Sequence, residues 1–485
     1  MNAWDRIPAA EHRRIQNVKL HRFLTEVVSP FSPHYRALFA REKIDVRKIK
    51  TVADLRHIPF TSKMDLLSAP GQSEKFRDFI ITPNIAQLSS RPRILAEALL
   101  RGRKTVERKL EREFRPIFLT ATTGRASAPV SFVYTDYDLQ RMRVAGDRLI
   151  QTFGATTSMR GVNMFPYAPH LAFWQVVLAG LEFGILLVSS GGGKVMGTDG
   201  NIALINKLKP EAIAGIPTFV YHVIREAQER GCKWPQVKFV ILGGEKSPQG
   251  VRRKMTGMLE EMGAGEVRVC GTYGFTEART AWGECPPPAG QESGYHLFPD
   301  MGIIEVIDPE TGEVKAEGQA GEIVYTPLDA RGSVVVRYRT GDYVDGGITW
   351  EPCPFCRRTV PRIIGSIGRQ SSTKELRLGK VKGTLVNFDT LQEILDELPE
   401  IAEWQVELRK AHDDPHEVDE VLLHFAPVDG NDVDLLKQKV RARFQNELEL
   451  TPNRIEVHSL PDMLKRIKLE TSLKEVHILD SRPKA

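Results

Sequence analysis

Between Ser131 and Leu242 the chain alternates two kinds of segment. Stretches with helical spacing, such as Asp136 to Thr152 and Ile202 to Leu208, are separated by short apolar runs at Val162 to Phe165, Ile185 to Val188, Ala212 to Gly215 and Phe239 to Leu242. Short runs of this kind read as strands, and their alternation with helices predicts a largely parallel sheet whose strand-end loops hold the ligand. After Gly283 the pattern changes to strands and turns: Gly302 to Ile307, the turn Asp308-Pro309-Glu310-Thr311-Gly312, Glu322 to Thr326, and Val334 to Arg339. This predicts an antiparallel or barrel-like subdomain. The small and polar run Gly368-Arg369-Gln370-Ser371-Ser372 interrupts it. A helix (Phe388 to Leu398), strands (Trp404 to Arg409, Val421 to Ala426), a helix (Asp432 to Leu448) and a strand (Arg454 to His458) follow. The expected fold is α/β: residues 1–368 form a large domain of several subdomains, with largely parallel sheets and a β-rich part, and residues 369–485 form a small α+β domain.

Two stretches stand out from this pattern. Leu171 to Val188 approaches the length of a bilayer span, but Gln175 and Glu182 count against insertion, and Gly180 and Gly184 divide it into a helix feeding a strand, both expected to be buried. No membrane span is expected. Arg91 to Arg115 is strongly basic around Ile94 to Leu100; it reads as a solvated amphipathic helix, with docking of an acidic partner as the alternative.

With 485 residues and 41% hydrophobic positions, the chain can bury a substantial core. A net charge of +5, from 67 basic against 62 acidic residues, leaves no nucleic-acid footprint. Five cysteines and the lack of a leader pattern set the expectation of a cytoplasmic protein. Nothing in the sequence chooses between monomer and homodimer.

Three loops carry chemistry. Thr120-Ala121-Thr122-Thr123-Gly124-Arg125 lies between two apolar runs and offers hydroxyls, backbone N–H groups and a cation, as a phosphate cradle requires. Gly191-Gly192-Gly193-Lys194 fails the P-loop pattern because Val195 and Val188 stand at its required positions, and it reads as a turn. Tyr273-Gly274-Phe275-Thr276-Glu277 follows an apolar run. It offers a flat face for a base, a close backbone approach, a phosphate-bonding hydroxyl and an acid for Mg²⁺. Tyr338-Arg339-Thr340-Gly341-Asp342 places a carboxylate where it can accept both hydroxyls of a ribose. Each alone could be a turn, but their joint order is harder to obtain by chance.

In that order the sequence resembles the adenylate-forming superfamily of acyl-CoA synthetases, and within it the phenylacetate–CoA ligase-like branch. Thr51 to Lys63, Gly243-Gly244-Glu245, Arg337 to Asp342, Cys353-Pro354-Phe355-Cys356 and Gly368-Arg369 carry the resemblance, which runs from about residue 15 to 482. It implies that ATP and Mg²⁺ activate a carboxylic acid as an acyl-adenylate, and that the acyl group passes to coenzyme A. It also implies that Thr120, Thr122, Thr123 and Gly124 bind phosphate, that Gly244, Glu245, Tyr273 and Gly274 form the adenine pocket, and that Asp342 anchors the ribose. Thr276 corresponds to the hydroxyl on the α-phosphate, Glu277 to the Mg²⁺-binding acid, Arg369 to the arginine after the domain boundary, and Lys474 to the adenylation lysine of a mobile C-terminal lid. The chain departs from the family pattern at Ala121, Ser371 and Leu473. The rival readings are transfer to a carrier protein, an amine or a reductase partner, and a catalytically weak nucleotide-binding protein.

Cys353 and Cys356 have metal-type spacing, and Cys285 and His296 supply two further ligands for a tetrahedral Zn²⁺. A reduced pair or a redox disulfide are the alternatives; proteins of the resembled branch often show the same Cys, His, Cys, Cys order. Cys232 and Cys270 read as small buried hydrophobes. Phe165 to Trp174, with Tyr167, His170 and Phe173, falls where the branch builds its acyl pocket, and its aromatic density suits an aryl or arylalkyl acid. An aromatic helix start packed in the core would look much the same.

Overall fold

The computed structural model describes residues 3–67, 74–122, 130–167, 170–288, 291–369, 378–381, 384–410, 419–448, 450–469 and 476–482. The chain divides into two compact units: Met1–Met159 with Tyr167–Leu187 and Cys270–Ile367, and Arg160–Pro166 with Val188–Val269 and Gly368–Ala485. Both are mixtures of helices and sheets, so the expected α/β class holds.

In the first unit, strands Pro116–Ala121 and Ser131–Thr135 form an antiparallel hairpin with Thr120 opposite Phe132. Helix Asp136–Phe153 follows directly. Its start is a reciprocal cap: Asp138 accepts from the Thr135 N–H and hydroxyl at 3.0 and 3.1 Å, while the Thr135 hydroxyl accepts from the Asp138 N–H at 3.3 Å. The same carboxylate accepts from the Arg331 and Gly332 N–H groups at 3.0 and 2.7 Å, tying a distant loop to this helix start. Helix Leu171–Phe183 packs so closely on Asp136–Phe153 that a Cβ at Gly146 would lie 2.5 Å from the Ala179 Cβ.

The β-rich part of this unit has two antiparallel arrangements. In one, Thr280–Glu284 pairs with the strand ending at Phe275, setting Tyr273 opposite Trp282, and continues through Tyr295–His296, Arg362–Ile363 and Ile348–Thr349. The other runs Gly302–Ile307, Gly321–Pro327, Tyr338–Val344. The last strand begins four residues later than the expected Val334. Arg337 adopts φ 48°, a left-handed conformation that no strand continues through, and Val334 to Val336 are core residues in irregular backbone.

The basic segment forms two helices, Pro92–Arg101 and Arg103–Phe114, broken at Gly102 with φ 85°. The second buries Val106, Leu110 and Phe114, whereas Leu99 and Leu100 of the first are almost fully exposed. Among the described residues, no helix is long and apolar enough to cross a membrane. The apolar stretch after His170 is a helix followed by strand Leu186–Ser189, but that strand is not buried as expected: Leu186 is 58% exposed.

The second unit contains parallel strands Arg160–Asn163, Ala212–Gly215 and Phe239–Leu242, with Val162, Ile213 and Val240 in register. Helices Gly193–Leu208, Pro217–Glu229 and Gln249–Glu261 accompany them, and Trp234, Val220 and Met255 complete the core. Gly193 therefore starts a helix, where the sequence suggested only a turn. Cys270 is fully buried, while Cys232 is only half-buried, packed against the edge of this core with its sulfur 3.6 Å from Asn206 Nδ2. Farther along, Ile401–Lys410 and Asp419–Pro427 are antiparallel; Arg454–Val457 and Ile478–Asp480 add in parallel on either side. Leu391, Trp404, Phe425 and Phe444 form their core with helices Phe388–Asp396 and Val433–Leu448.

Candidate active site

Strand Tyr338–Val344 organises the nucleotide-type residues of the first unit. Positions four apart on a strand share a face, so Tyr338 and Asp342 point the same way. Tyr338 donates its phenol O–H to Glu277 Oε1 at 2.7 Å, and Asp342 Oδ2 accepts from the Tyr273 phenol at 2.8 Å. Glu277 and Asp342 are both more than nine-tenths buried. A buried carboxylate without donors would be costly, and these phenols supply them. Thr340 fixes the strand by donating to the Ile323 carbonyl at 2.8 Å and accepting from the Asp342 N–H at 3.0 Å.

Just upstream, Arg337 forms a buried ion pair with Glu305 at 3.1 Å, donates to the Ile58 carbonyl at 2.9 Å and lies over the Phe60 ring. Burial pushes the Glu305 carboxyl above the usual range, and Arg337 opposes that shift.

The Tyr273-to-Glu277 motif runs off a strand into one tight turn, Thr276–Ala278. Gly274 is required sterically: a Cβ there would lie 2.8 Å from the Thr280 carbonyl oxygen. Tyr273 packs in an aromatic cluster, inclined at 29° to Trp282 with centroids 6.1 Å apart and near Phe275 and Tyr295. A hydroxyl chain joins this motif to the threonine loop. Thr120 Oγ1 and Tyr134 Oη are 2.8 Å apart, and Tyr134 donates to the Thr276 carbonyl at 3.4 Å. Thr122 closes the loop base, exchanging backbone and hydroxyl bonds with Val130 at 3.0 Å. Thr123 and Gly124 lie outside the described residues.

Tyr167, Phe173 and Trp174 form an edge-to-face cluster, and Trp174 meets Phe118 of the hairpin at 5.4 Å. Phe173 is buried and Tyr167 exposed. His170 Nδ1 lies 3.2 Å from the Ala121 carbonyl oxygen, which ties this cluster to the threonine loop.

Gly244, Glu245 and Arg369 belong to the second unit. Gly244 has φ 83°, and Glu245 accepts from the Thr218 hydroxyl at 2.7 Å. Arg369 ends strand Ile367–Arg369, and Lys474 lies outside the described residues.

The four metal-type residues converge. Cys285 and Cys353 sulfurs are 3.7 Å apart, Cys356 Sγ is 3.2 Å from His296 Nε2, and all four ligand atoms lie within 4.8 Å of one another. His296 Nδ1 sits 3.3 Å from the Gly283 carbonyl, which favours Nε2 as the free lone pair. Donation to Cys353 and Cys356 pushes the Cys285 thiol up, while accepting from it pulls Cys353 down and Cys356 to about 7. Three sulfurs and one imidazole nitrogen, three of the four residues fully buried, fit a closed tetrahedral zinc site.

Tyr338, Tyr134 and Arg337 hold the predicted residues in place, yet none was singled out for this in the sequence. Tyr338 stands at the head of the motif containing Asp342, which is the only local signal of its role.

The AMP-binding enzyme family matches residues 133–327. The phenylacetate-coenzyme A ligase of Thermus thermophilus is 25% identical over 409 residues, covering 83% of this chain and 80% of the relative. The chain is similar to the adenylate-forming superfamily over these regions. A second superfamily relative, the phenylacetate-coenzyme A ligase of Aromatoleum evansii, is 26% identical over 340 residues, 69% of this chain and 67% of its own. The superfamily fold recurs in a crystal structure of 2-hydroxyisobutyryl-CoA ligase in the postadenylation state with R3-HIB-AMP, at a TM-score of 0.78. That match has 16% identity and covers 99% of this chain and 91% of the other.

Proposed function

We propose that this adenylate-forming enzyme is an AMP-forming acid–CoA ligase acting on a carboxylic acid with an aryl or arylalkyl group. The observation that carries the nucleotide reading is the strand Tyr338–Val344, which presents Asp342 and, through Tyr338, Glu277 from one face. Asp342 suits a ribose diol, because a carboxylate accepts both hydroxyls. Tyr273 and Gly274 offer the flat face and close backbone approach that an adenine needs, and the family resemblance gives Gly244 and Glu245 the same role. Thr120, Thr122, Thr123, Gly124 and Thr276 hold the phosphates.

In the first half-reaction a carboxylate oxygen of the acid attacks the α-phosphorus of ATP, and the bond to pyrophosphate breaks. Anions converge there, so oriented donors and cations must meet the developing charge. The family resemblance gives the cationic roles to Lys474 and Arg369 and the hydroxyl to Thr276. Mg²⁺ held at Glu277 would neutralise phosphate charge. In the second half-reaction the CoA thiol attacks the acyl carbonyl and AMP leaves.

Tyr167, His170 and Phe173 support the aromatic-acid reading, since their cluster abuts the threonine loop at Ala121. Cys285, His296, Cys353 and Cys356 would hold a structural zinc, stabilising the β-rich part with no open position for substrate. A second acceptor, an acidic carrier protein, is favoured by one observation: Leu99 and Leu100 stand exposed on a helix flanked by arginines.

Acid-dependent exchange of pyrophosphate into ATP, over a panel of aryl, arylalkyl and aliphatic acids, tests the first step. Adding CoA or carrier proteins then tests the acceptor. No exchange with any acid would overturn the proposal, and exchange confined to aliphatic acids would overturn its aromatic part.

A further inference from the structure

A second cluster of metal-type ligands lies in the second unit, on residues that the acyl-transfer chemistry leaves without a role. Strands Asp419–Pro427 and Arg454–Val457 run parallel with His424 in register with Glu456. His458 follows two residues later, where the strand repeat returns a side chain to the face of Glu456, and its N–H donates to the Phe425 carbonyl at 3.0 Å. Three potential ligand atoms therefore converge. His424 Nδ1 is 3.0 Å from His458 Nε2 and 3.2 Å from Glu456 Oε2, and the last two are 3.8 Å apart.

Those separations are close to the edge of a tetrahedron of ligands about an ion. With metal–ligand bonds of about 2.0–2.1 Å, neighbouring ligand atoms lie about 3.3 Å apart. We propose that His424, Glu456 and His458 bind a divalent transition metal ion of the zinc class, separate from the cysteine cluster. Two imidazoles with one carboxylate favour zinc-class ions over Mg²⁺ or Ca²⁺, which prefer oxygen. His424 is almost fully buried, whereas Glu456 and His458 are partly exposed, so the ion has an anchored side and an open one. Three protein ligands leave a coordination position for water or an exogenous donor.

The surroundings supply the outer partner such a site needs. His424 Nε2 lies 2.9 Å from Arg466 Nη2 and 3.5 Å from Glu407 Oε2, and Arg466 itself pairs with Glu407 at 2.5 Å. Without metal, Arg466 donates to Nε2, so the imidazole proton sits on Nδ1 and points to His458. With metal on Nδ1, that proton must sit on Nε2, where Glu407 accepts it and Arg466 withdraws to Glu407 alone. Burial and Arg466 keep His424 below its ordinary pKa and so neutral, as a ligand must be. Metal binding therefore inverts one tautomer and re-partners one arginine, at the end of helix Leu460–Arg466.

The test is equilibrium dialysis of the full-length chain against graded free Zn²⁺, with metal content measured for wild type, His458→Ala, Glu456→Gln and Cys353→Ser. The expected result is about one zinc per chain that survives Cys353→Ser, is lost in His458→Ala and is weakened about tenfold or more in Glu456→Gln. Melting in chelator checks that the histidine and glutamate variants fold like wild type. If His458→Ala melts early, Glu456→Gln decides. Selective ¹⁵N labelling of histidine reads the tautomer, and zinc should move the His424 proton from Nδ1 to Nε2. Equal zinc content in wild type and both variants at every zinc concentration, or a His424 tautomer indifferent to zinc, would overturn the proposal.

Discussion

Tyr338 and Glu277, 61 residues apart, are joined by a 2.7 Å hydrogen bond between two buried side chains. The phenol gives an acid that must leave water a donor and one orientation. Removing it leaves a buried acceptor short of a partner, which costs about 1–3 kcal/mol. Tyr338→Phe keeps the ring and removes only the donor. Its expected effect is an increase of about fivefold or more in the Mg²⁺ concentration that half-saturates adenylation, with a small loss of melting temperature. Magnesium titration of pyrophosphate release checks it. An unchanged half-saturation would show that Glu277 does not meet the ion.

Lys474→Ala should separate the two half-reactions. Acyl-adenylate formation should slow by on the order of a hundredfold or more, the scale of losing one oriented charge at the developing anion. Thiolysis of a chemically prepared acyl-adenylate should change far less if Lys474 serves adenylation alone, as proposed. Single-turnover measurements of both steps on one variant decide the matter. Equal losses would indicate general binding or misfolding.

Purified protein should carry about one zinc at Cys285, His296, Cys353 and Cys356 when prepared without chelator. Cys353→Ser should lower thermal stability far more than it lowers acid-dependent pyrophosphate exchange measured below the melting range, because a closed site touches no substrate. Elemental analysis and melting curves check both statements. Retained stability together with lost exchange would place the cluster in the chemistry instead.

His222 gives the second unit a defined response to acid. It is buried, with Nε2 3.1 Å from the Thr198 hydroxyl and Nδ1 3.4 Å from Arg225 Nη2. Burial first, and then the Arg225 charge, lower its pKa from 6.5 to about 4. The unfolded chain therefore takes up this proton before the folded one does. Its contribution is fully present above pH 6.5 and is lost as pH falls to about 4, on the order of 3 kcal/mol at full loss. His222→Gln should flatten the pH dependence of melting temperature over that interval. A wild-type melting temperature independent of pH there, or a variant profile parallel to wild type, would refute it.

Much of the fold was legible because its signals are local. Asp136–Phe153 announces itself through its helical spacing, and Ala212–Gly215 and Phe239–Leu242 through short apolar runs between helices. The strand at Tyr338 was misplaced because valines 334 to 336 have strand-like composition, while the conformation of Arg337 is imposed by Glu305 and Ile58, partners remote in sequence. The same limit applies to the sites. Chemical type and motif order brought forward Tyr273, Glu277 and Asp342. Which phenol serves which carboxylate depends on strand register, as does the meeting of His424 with Glu456 and His458, and no single segment encodes register across such distances.

The neighbouring rings of Tyr273 and Trp282 make the enzyme its own optical probe. Trp282 is 2% exposed, so its indole is shielded from water and its excited state is sensitive chiefly to neighbouring groups. Phe275 and Tyr325 surround it and Tyr273 is its link to the carboxylate of Asp342. A nucleotide that draws the phenol away from Asp342 would alter the emission of this one tryptophan, and stopped-flow fluorescence could then time nucleotide arrival without a label attached to the protein.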